Sequence, residues 1–253
     1  MLHADRLRAE SFGSVAALYD GVRPSYPAAL IDELMAERPR DVLDVGAGTG
    51  IAGALLVQRG ASVLGVEVDE RMAEIARSRG LTVEIAAFES WEPAGRRFDL
   101  LISGQAWHWI DPTAGAAKAA AVLRCGGRAC LFWNHGDPPA PVRERLAPIY
   151  ERLAPELENY SALPGGGRDS VAYAAEALER SGEFDAARIR GFSWSETYAA
   201  DAWVDLLRTH SDHQTMAPSR REPLLRAVRE AIDELGGSFA LSYEAVLVDA
   251  RRR

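Results

Sequence analysis

The sequence predicts an α/β fold in which a mostly parallel, doubly wound sheet carries helices on both faces. Two observations lead there. Short β-rich apolar runs alternate with longer amphipathic stretches between residues 41 and 133, and glycines stand where the helices between strands must end. A third points the same way: a glycine-rich turn follows the first apolar run directly.

In order, DVLDV (41–45), SVLGV (62–66), LTVEI (81–85), FDLLIS (98–103) and GRACLFW (127–133) read as strands. Helices are expected over 50–59, 70–79 and 112–124, the first two closed by Gly60 and Gly80 in the place of a C-terminal cap. At 137 the breaker DPPAP interrupts the alternation; helices over 142–158 and 170–181, separated by the loop ALPGGG, predict an inserted helical cap at about 137–185. Strand character returns at 187–198 and 238–250, with helices at 201–210 and 220–235 between them. No internal repeat divides the chain, so a single domain over 1–253 is expected, with a segment at 1–38 lying over the crevice.

Its 253 residues and 47% hydrophobic content suffice for a large core. The formal charge of -8, without a long basic run, lacks the electrostatic footprint of a general nucleic-acid binder. Cys125 and Cys130 have no Cys/His cluster beside them, and read as reduced cysteines in or near the core. The charged start MLHADRLRAE differs from a signal peptide, and no stretch approaches the ~20 apolar residues of a membrane span, so a cytoplasmic protein is expected. A monomer or homodimer is the expected state. Lys118 is the only lysine, which leaves arginine to handle anions elsewhere.

In VLDVGAGTG (42–50) glycines occupy every second position where a buried strand turns into a helix, and a backbone so bare lets a ligand press against it. The dinucleotide fingerprint G-x-G-x-x-G places its third glycine at position 51, which is Ile51 here; no Gly-Lys-Ser/Thr follows for a phosphate loop. About 20 residues on, Glu67 ends the second strand, where a carboxylate can accept from both hydroxyls of a ribose.

The pattern Asp44-Val45-Gly46-Ala47-Gly48-Thr49-Gly50 resembles the class I S-adenosylmethionine-dependent methyltransferases. The resemblance implies seven strands in the order 3-2-1-4-5-7-6 with the last antiparallel, S-adenosylmethionine as cofactor and S-adenosylhomocysteine as product. It also implies Glu67 on the ribose, Val68 and Met72 against the adenine, and Ala87, Phe88 and Glu89 along the adenine edge. Family members often carry an aspartate in that third segment; Ala86 and Ala87 stand there here, which moves the amino contact toward Glu89. SFGSVAALYDGVRPSYP (11–27) is similar to the F-x-x-x-A-x-x-Y-x-x-x-R-P-x-Y-P entrance of a subgroup that includes trans-aconitate methyltransferase-like proteins. That likeness sets Tyr19 and Arg23 over the cofactor's methionine end, with Arg23 facing its carboxylate; the alternative is a Tyr and an Arg packing a helix on the sheet.

FDLLISGQAWHWID (98–111) brings Ser103 and Gln105 to the end of the strand beside the first, followed by Trp107, His108 and Trp109. Aromatic faces could shelter a sulfonium, or the tryptophans could cap the core. His108 fits either a general base or a group orienting the substrate. Trp133 and Asn134 end the fifth strand toward the same crevice, and Ser211 and His213 could fold back over the acceptor. His210 and His213 alone supply too few ligands for a metal, so none is expected. The expected activity is methyl transfer to a small molecule, through oxygen and onto a carboxylate. N- or C-methylation, a non-catalytic S-adenosylmethionine-binding protein and a nicotinamide oxidoreductase are the alternatives.

Overall fold

The computed structural model describes residues 11–157 and 168–253. The expected loop ALPGGG, Glu158 and the first ten residues lie outside the described residues. A turn at Ser11–Val15 leads into α1 (Ala16–Val22) and α2 (Ala28–Leu34). Then follow β1 (Asp41–Val45), α3 (Ile51–Val57), β2 (Ser62–Glu67), α4 (Glu70–Ser78), β3 (Thr82–Ile85), β4 (Phe98–Gly104), a turn at Trp107–Trp109, α5 (Pro112–Val122) and β5 (Leu123–Asp137). The chain ends with α6 (Ala140–Leu153), α7 (Arg168–Arg180), β6 (Arg188–Ala199), α8 (Ala200–Arg208), α9 (Ser211–Gln214), α10 (Pro218–Glu234) and β7 (Ser238–Arg251).

The strands form one sheet in the order β3-β2-β1-β4-β5-β7-β6, as expected, with β7 antiparallel to both neighbours. Side chains alternate between its faces with period two. Leu43, Val45, Leu101, Leu131, Trp133 and Val248 share a cluster with α5 and α7. Val42, Leu100, Ile102, Cys130 and Phe132 share another with α2, α3 and α4. β1 is therefore buried on both sides, which is why DVLDV shows no alternation between core and solvent.

A third cluster unites Val142, Leu146 and Tyr150 of α6 with Trp203 and Leu207 of α8, Leu224 and Val228 of α10, and Tyr198, Phe239 and Tyr243 of β6 and β7. Its helices leave from the carboxyl ends of β5 and β6, so this helical layer stands at the edge of the sheet where the glycine turn also lies. The two helices expected to form one cap part company. α6 joins the layer, whereas α7 contributes Val171, Ala174 and Leu178 to the sheet core, as the crossover between parallel β5 and β6 must.

β5 is longer than GRACLFW suggests. It begins at Leu123, opposite Phe98, and its far end runs to Asp137 because β7 pairs with it as far as Ser242. Among the described residues no helix is long and apolar enough to cross a membrane.

Candidate functional site

The glycine turn is built by the backbone. The N–H groups of Gly46 and Ala47 both donate to the Val66 carbonyl, at 2.9 and 3.2 Å, which folds the end of β1 over β2. Gly46 has φ +68°, and a Cβ there would lie 2.5 Å from that of Ala106; Gly50, at φ +80°, would set one 3.0 Å from Ala76 on α4. The third glycine thus lets α3 start against α4, a packing demand that differs from ligand access. Gly48 faces Met72 across ordinary van der Waals distance, and its N–H donates to Glu67 Oε2 at 2.8 Å.

Glu67 is buried, and its other oxygen accepts from the N–H groups of Val68 and Asp69 at 2.9 and 3.0 Å. Burial raises its carboxyl above the usual range and these N–H donors oppose the rise. Oε2, which accepts only the Gly48 N–H, retains acceptor capacity, so the group can grip the loop and still accept from a ribose hydroxyl. Val68 is exposed, Met72 is buried, and Asp69 caps α4 through the N–H groups of Arg71 and Met72. Ala87 is half-buried. Phe88 is only 2% exposed and packs with Trp91 and Trp107 inside the core, while Glu89 Oε1 accepts from the Asp111 N–H at 3.0 Å ahead of α5.

Asp44 is buried behind the loop. Its Oδ2 lacks a hydrogen-bond partner, and burial first, then the Glu67 charge, push its pKa up to about 7, against the Gly53 N–H. The buried Thr49 hydroxyl also lacks a partner. A bare turn with buried polar groups still to satisfy fits a polar, cationic cofactor.

At the end of β4, Ser103 is fully buried and its hydroxyl donates to the Val45 carbonyl at 2.8 Å, stitching β4 to β1. Gln105 stands at φ +57°, its Nε2 donates to the Asn134 carbonyl at 3.3 Å, and its buried Oε1 lacks a partner. A non-glycine residue held there costs about 1–3 kcal/mol, a strain typical of ligand sites. Gly104 admits Tyr26, since a Cβ there would lie 2.6 Å from the Tyr26 hydroxyl.

Of the three tryptophans expected on the acceptor, the fold sets two, Trp107 and Trp133, in the core. Trp133 is fully buried with Leu131 on the α5 and α7 face, because alternation sends it opposite to Phe132 and Asn134. Trp107 is 3% exposed in the same cluster. Trp109 is half-buried and stands 4.9 Å from the His108 ring. Trp133 Nε1 donates to His108 Nδ1 at 3.2 Å, which requires the proton of neutral His108 to sit on Nε2. Both its ring nitrogens are then unsuited to take a proton.

Both polar atoms of the Asn134 side chain are engaged: Nδ2 donates to the Ser25 carbonyl at 2.9 Å and Oδ1 accepts from Trp194 Nε1 at 3.2 Å. Arg23 lies over the Tyr19 ring at 4.6 Å and turns to the helical layer. Its Nε donates to Thr209 Oγ1 at 2.9 Å and its Nη2 to the Thr209 carbonyl at 2.8 Å. Beside Arg23 stand Tyr26 and the Tyr198–Tyr243 pair, whose hydroxyls lie 2.8 Å apart, with Trp194 stacked on Tyr243 at 4.6 Å. His210, Ser211 and His213 are buried. Burial, reinforced by Arg23, holds His210 neutral. His213 bonds Asp212 Oδ1 through Nδ1 at 2.8 Å and the Tyr150 hydroxyl through Nε2 at 3.0 Å.

Tyr26, Trp194, Tyr198, Tyr243, Tyr150 and Thr209 were absent from the residues predicted by sequence. Tyr26 had a signal in the entrance motif RPSYP; the others come together only through the β6–β7 pairing and the helical layer.

The chain belongs to the class I S-adenosylmethionine-dependent methyltransferases. The methyltransferase-domain family matches residues 42–127. An uncharacterized methyltransferase of Mycobacterium tuberculosis is 32% identical over 95% of both chains. A malonyl-[acyl-carrier protein] O-methyltransferase of Hahella chejuensis is 34% identical over 47% of each. A candidate type II methyltransferase from Anaeromyxobacter dehalogenans shares the fold, with TM-score 0.66, 22% identity and coverage of 90% and 97% of the two chains. S-adenosylmethionine is the cofactor.

Proposed function

We propose that this enzyme methylates a carboxylate oxygen of a small-molecule acceptor and works as one domain, with the α1 segment and the helical layer closing the crevice. The observation that carries this reading is the hydrogen bond from Trp133 to His108 Nδ1, which engages the nitrogen that a base at His108 would use. An acceptor that is already an anion needs no base. The partial relative that methylates malonyl-[acyl-carrier protein] through oxygen supports the same acceptor chemistry.

The cofactor supplies an electrophilic methyl group on a good leaving group. The chain's own part is to hold, orient and exclude water. Glu67 and the Gly48 loop are the proposed ribose hold, with Val68, Met72 and Ala87 beside the adenine. Tyr26 closes over Gly104, and Arg23, fixed by Thr209, keeps N–H groups on Nη1 for a carboxylate of the cofactor or the acceptor.

The test is the pH dependence of methyl transfer in His108→Gln and the unaltered enzyme. We expect both to run nearly flat from pH 6 to 9, within a factor of about 3 of each other. A rate that climbs with pH in the unaltered enzyme and falls by a factor of about 10² or more in the variant would restore the base and point to an amine or carbon acceptor.

A further inference from the structure

We propose that His210, Asp212 and His213 form a binding site for one divalent transition-metal ion, zinc by the nature of its donors. One ligand atom from each of the three lies within 4.8 Å of the others. The sequence offered two imidazoles and no third ligand; the start of α9 swings the Asp212 carboxylate in beside them. Two imidazoles and one carboxylate suit zinc and its first-row neighbours, whereas magnesium and calcium favour sites built of oxygen alone. Three protein ligands leave a fourth position for water or a ligand oxygen.

The unpaired Nδ1 of the His210 ring and the Tyr150 hydroxyl behind His213 mark the cluster as more than a chance grouping of polar groups. His210 is 1% exposed, and its Nδ1 has no hydrogen-bond partner although it is enclosed by protein. His213 is held from both sides: Asp212 Oδ1 lies 2.8 Å from Nδ1, and the Tyr150 hydroxyl 3.0 Å from Nε2. A metal ion takes the place of the proton shared by Asp212 and Nδ1. That proton passes to Nε2, and Tyr150 changes from hydrogen-bond donor to acceptor, so that it fixes the liganding tautomer from outside the metal's own shell.

Position gives the ion a consequence. α9 packs on the Ser11–Val15 turn, Tyr150 belongs to α6, and Thr209, next to His210, holds Arg23. A bound ion ties together the corner of the helical layer against which the entrance segment docks.

The experiment uses the full chain without an affinity tag, stripped with chelator and titrated with zinc alone, then with cobalt as a visible probe. We expect one equivalent of zinc per chain, a zinc-dependent rise in melting temperature and a cobalt spectrum of low-symmetry nitrogen and oxygen coordination. His210→Gln and Asp212→Asn should each weaken zinc binding by at least about 10-fold, and Tyr150→Phe by about 10-fold. Asp212 is partly exposed, so Asp212→Asn tests the site with the fold kept, as its circular dichroism would report. Less than a tenth of an equivalent bound, or binding unchanged in His210→Gln and Asp212→Asn, overturns the proposal.

Discussion

The proposed cofactor side of the site is made largely of backbone, and the proposed acceptor side of side chains. On the first, the Gly46–Gly50 turn, the Val66 carbonyl and the N–H groups received by Glu67 fix the shape within one stretch of β1, α3 and β2. On the second, Arg23, Tyr26, Asn134, Trp194, Tyr198, Thr209 and Tyr243 converge from α1, the loop after it, β5, β6, the end of α8 and β7. Backbone geometry leaves a local imprint in glycine spacing, whereas side chains that meet across 186 residues, as Arg23 and Thr209 do, leave none. One fold can therefore keep its donor site while its acceptor site varies.

The widest effect expected on the cofactor side is on stability. Asp44 has its pKa raised from 3.8 to about 7 in the fold, so the folded state prefers the protonated acid. Its contribution is full below pH 4 and is lost as pH rises through 7, a span of up to about 4 kcal/mol. Urea titrations without cofactor should show stability falling over that window, and Asp44→Asn should flatten the fall. A profile equally steep in the variant would mean that Asp44 is not the group responsible.

Next comes Glu67→Ala, which removes the acceptor of three N–H groups and the proposed ribose hold together. S-adenosylhomocysteine affinity, measured by calorimetry, should fall by about 100-fold or more. Near-normal affinity would break the distinction between the two sides. Thr209→Val is the smaller, complementary change: it removes one hydroxyl from Arg23 and should raise the acceptor's KM by about 10-fold, with S-adenosylhomocysteine affinity unchanged. Equal losses for both ligands would place Arg23 on the cofactor's carboxylate, as the entrance motif alone suggests.

What could be read from sequence follows the same division. The strands other than the longer β5, the glycine turn and the end of β2 at Glu67 stand where periodicity and motif place them, and the strand order is the one the resemblance implies. Trp133 misleads because closeness to a strand's carboxyl end says nothing about which face a residue takes; one step of alternation puts it in the core and Asn134 beside Ser25. Ser103 and Glu89 also have structural partners that sequence does not show: the Ser103 hydroxyl donates to the Val45 carbonyl, and one oxygen of Glu89 accepts from the Asp111 N–H. α7 reads as half of a cap, and only the parallel pairing of β5 and β6 through β7 shows that it must cross the sheet. His108 needed the Trp133 indole to show which nitrogen carries its proton.

The most direct measurement of the proposed chemistry uses S-adenosylmethionine carrying a labelled methyl group, incubated with the enzyme and a mixture of small organic acids, amines and alcohols. A carboxylate acceptor gives a methyl ester, so mild alkaline treatment of the labelled product should release the label as methanol. Label that stays on the product through the same treatment would mean methylation at nitrogen, carbon or an alcohol oxygen, and would contradict the account.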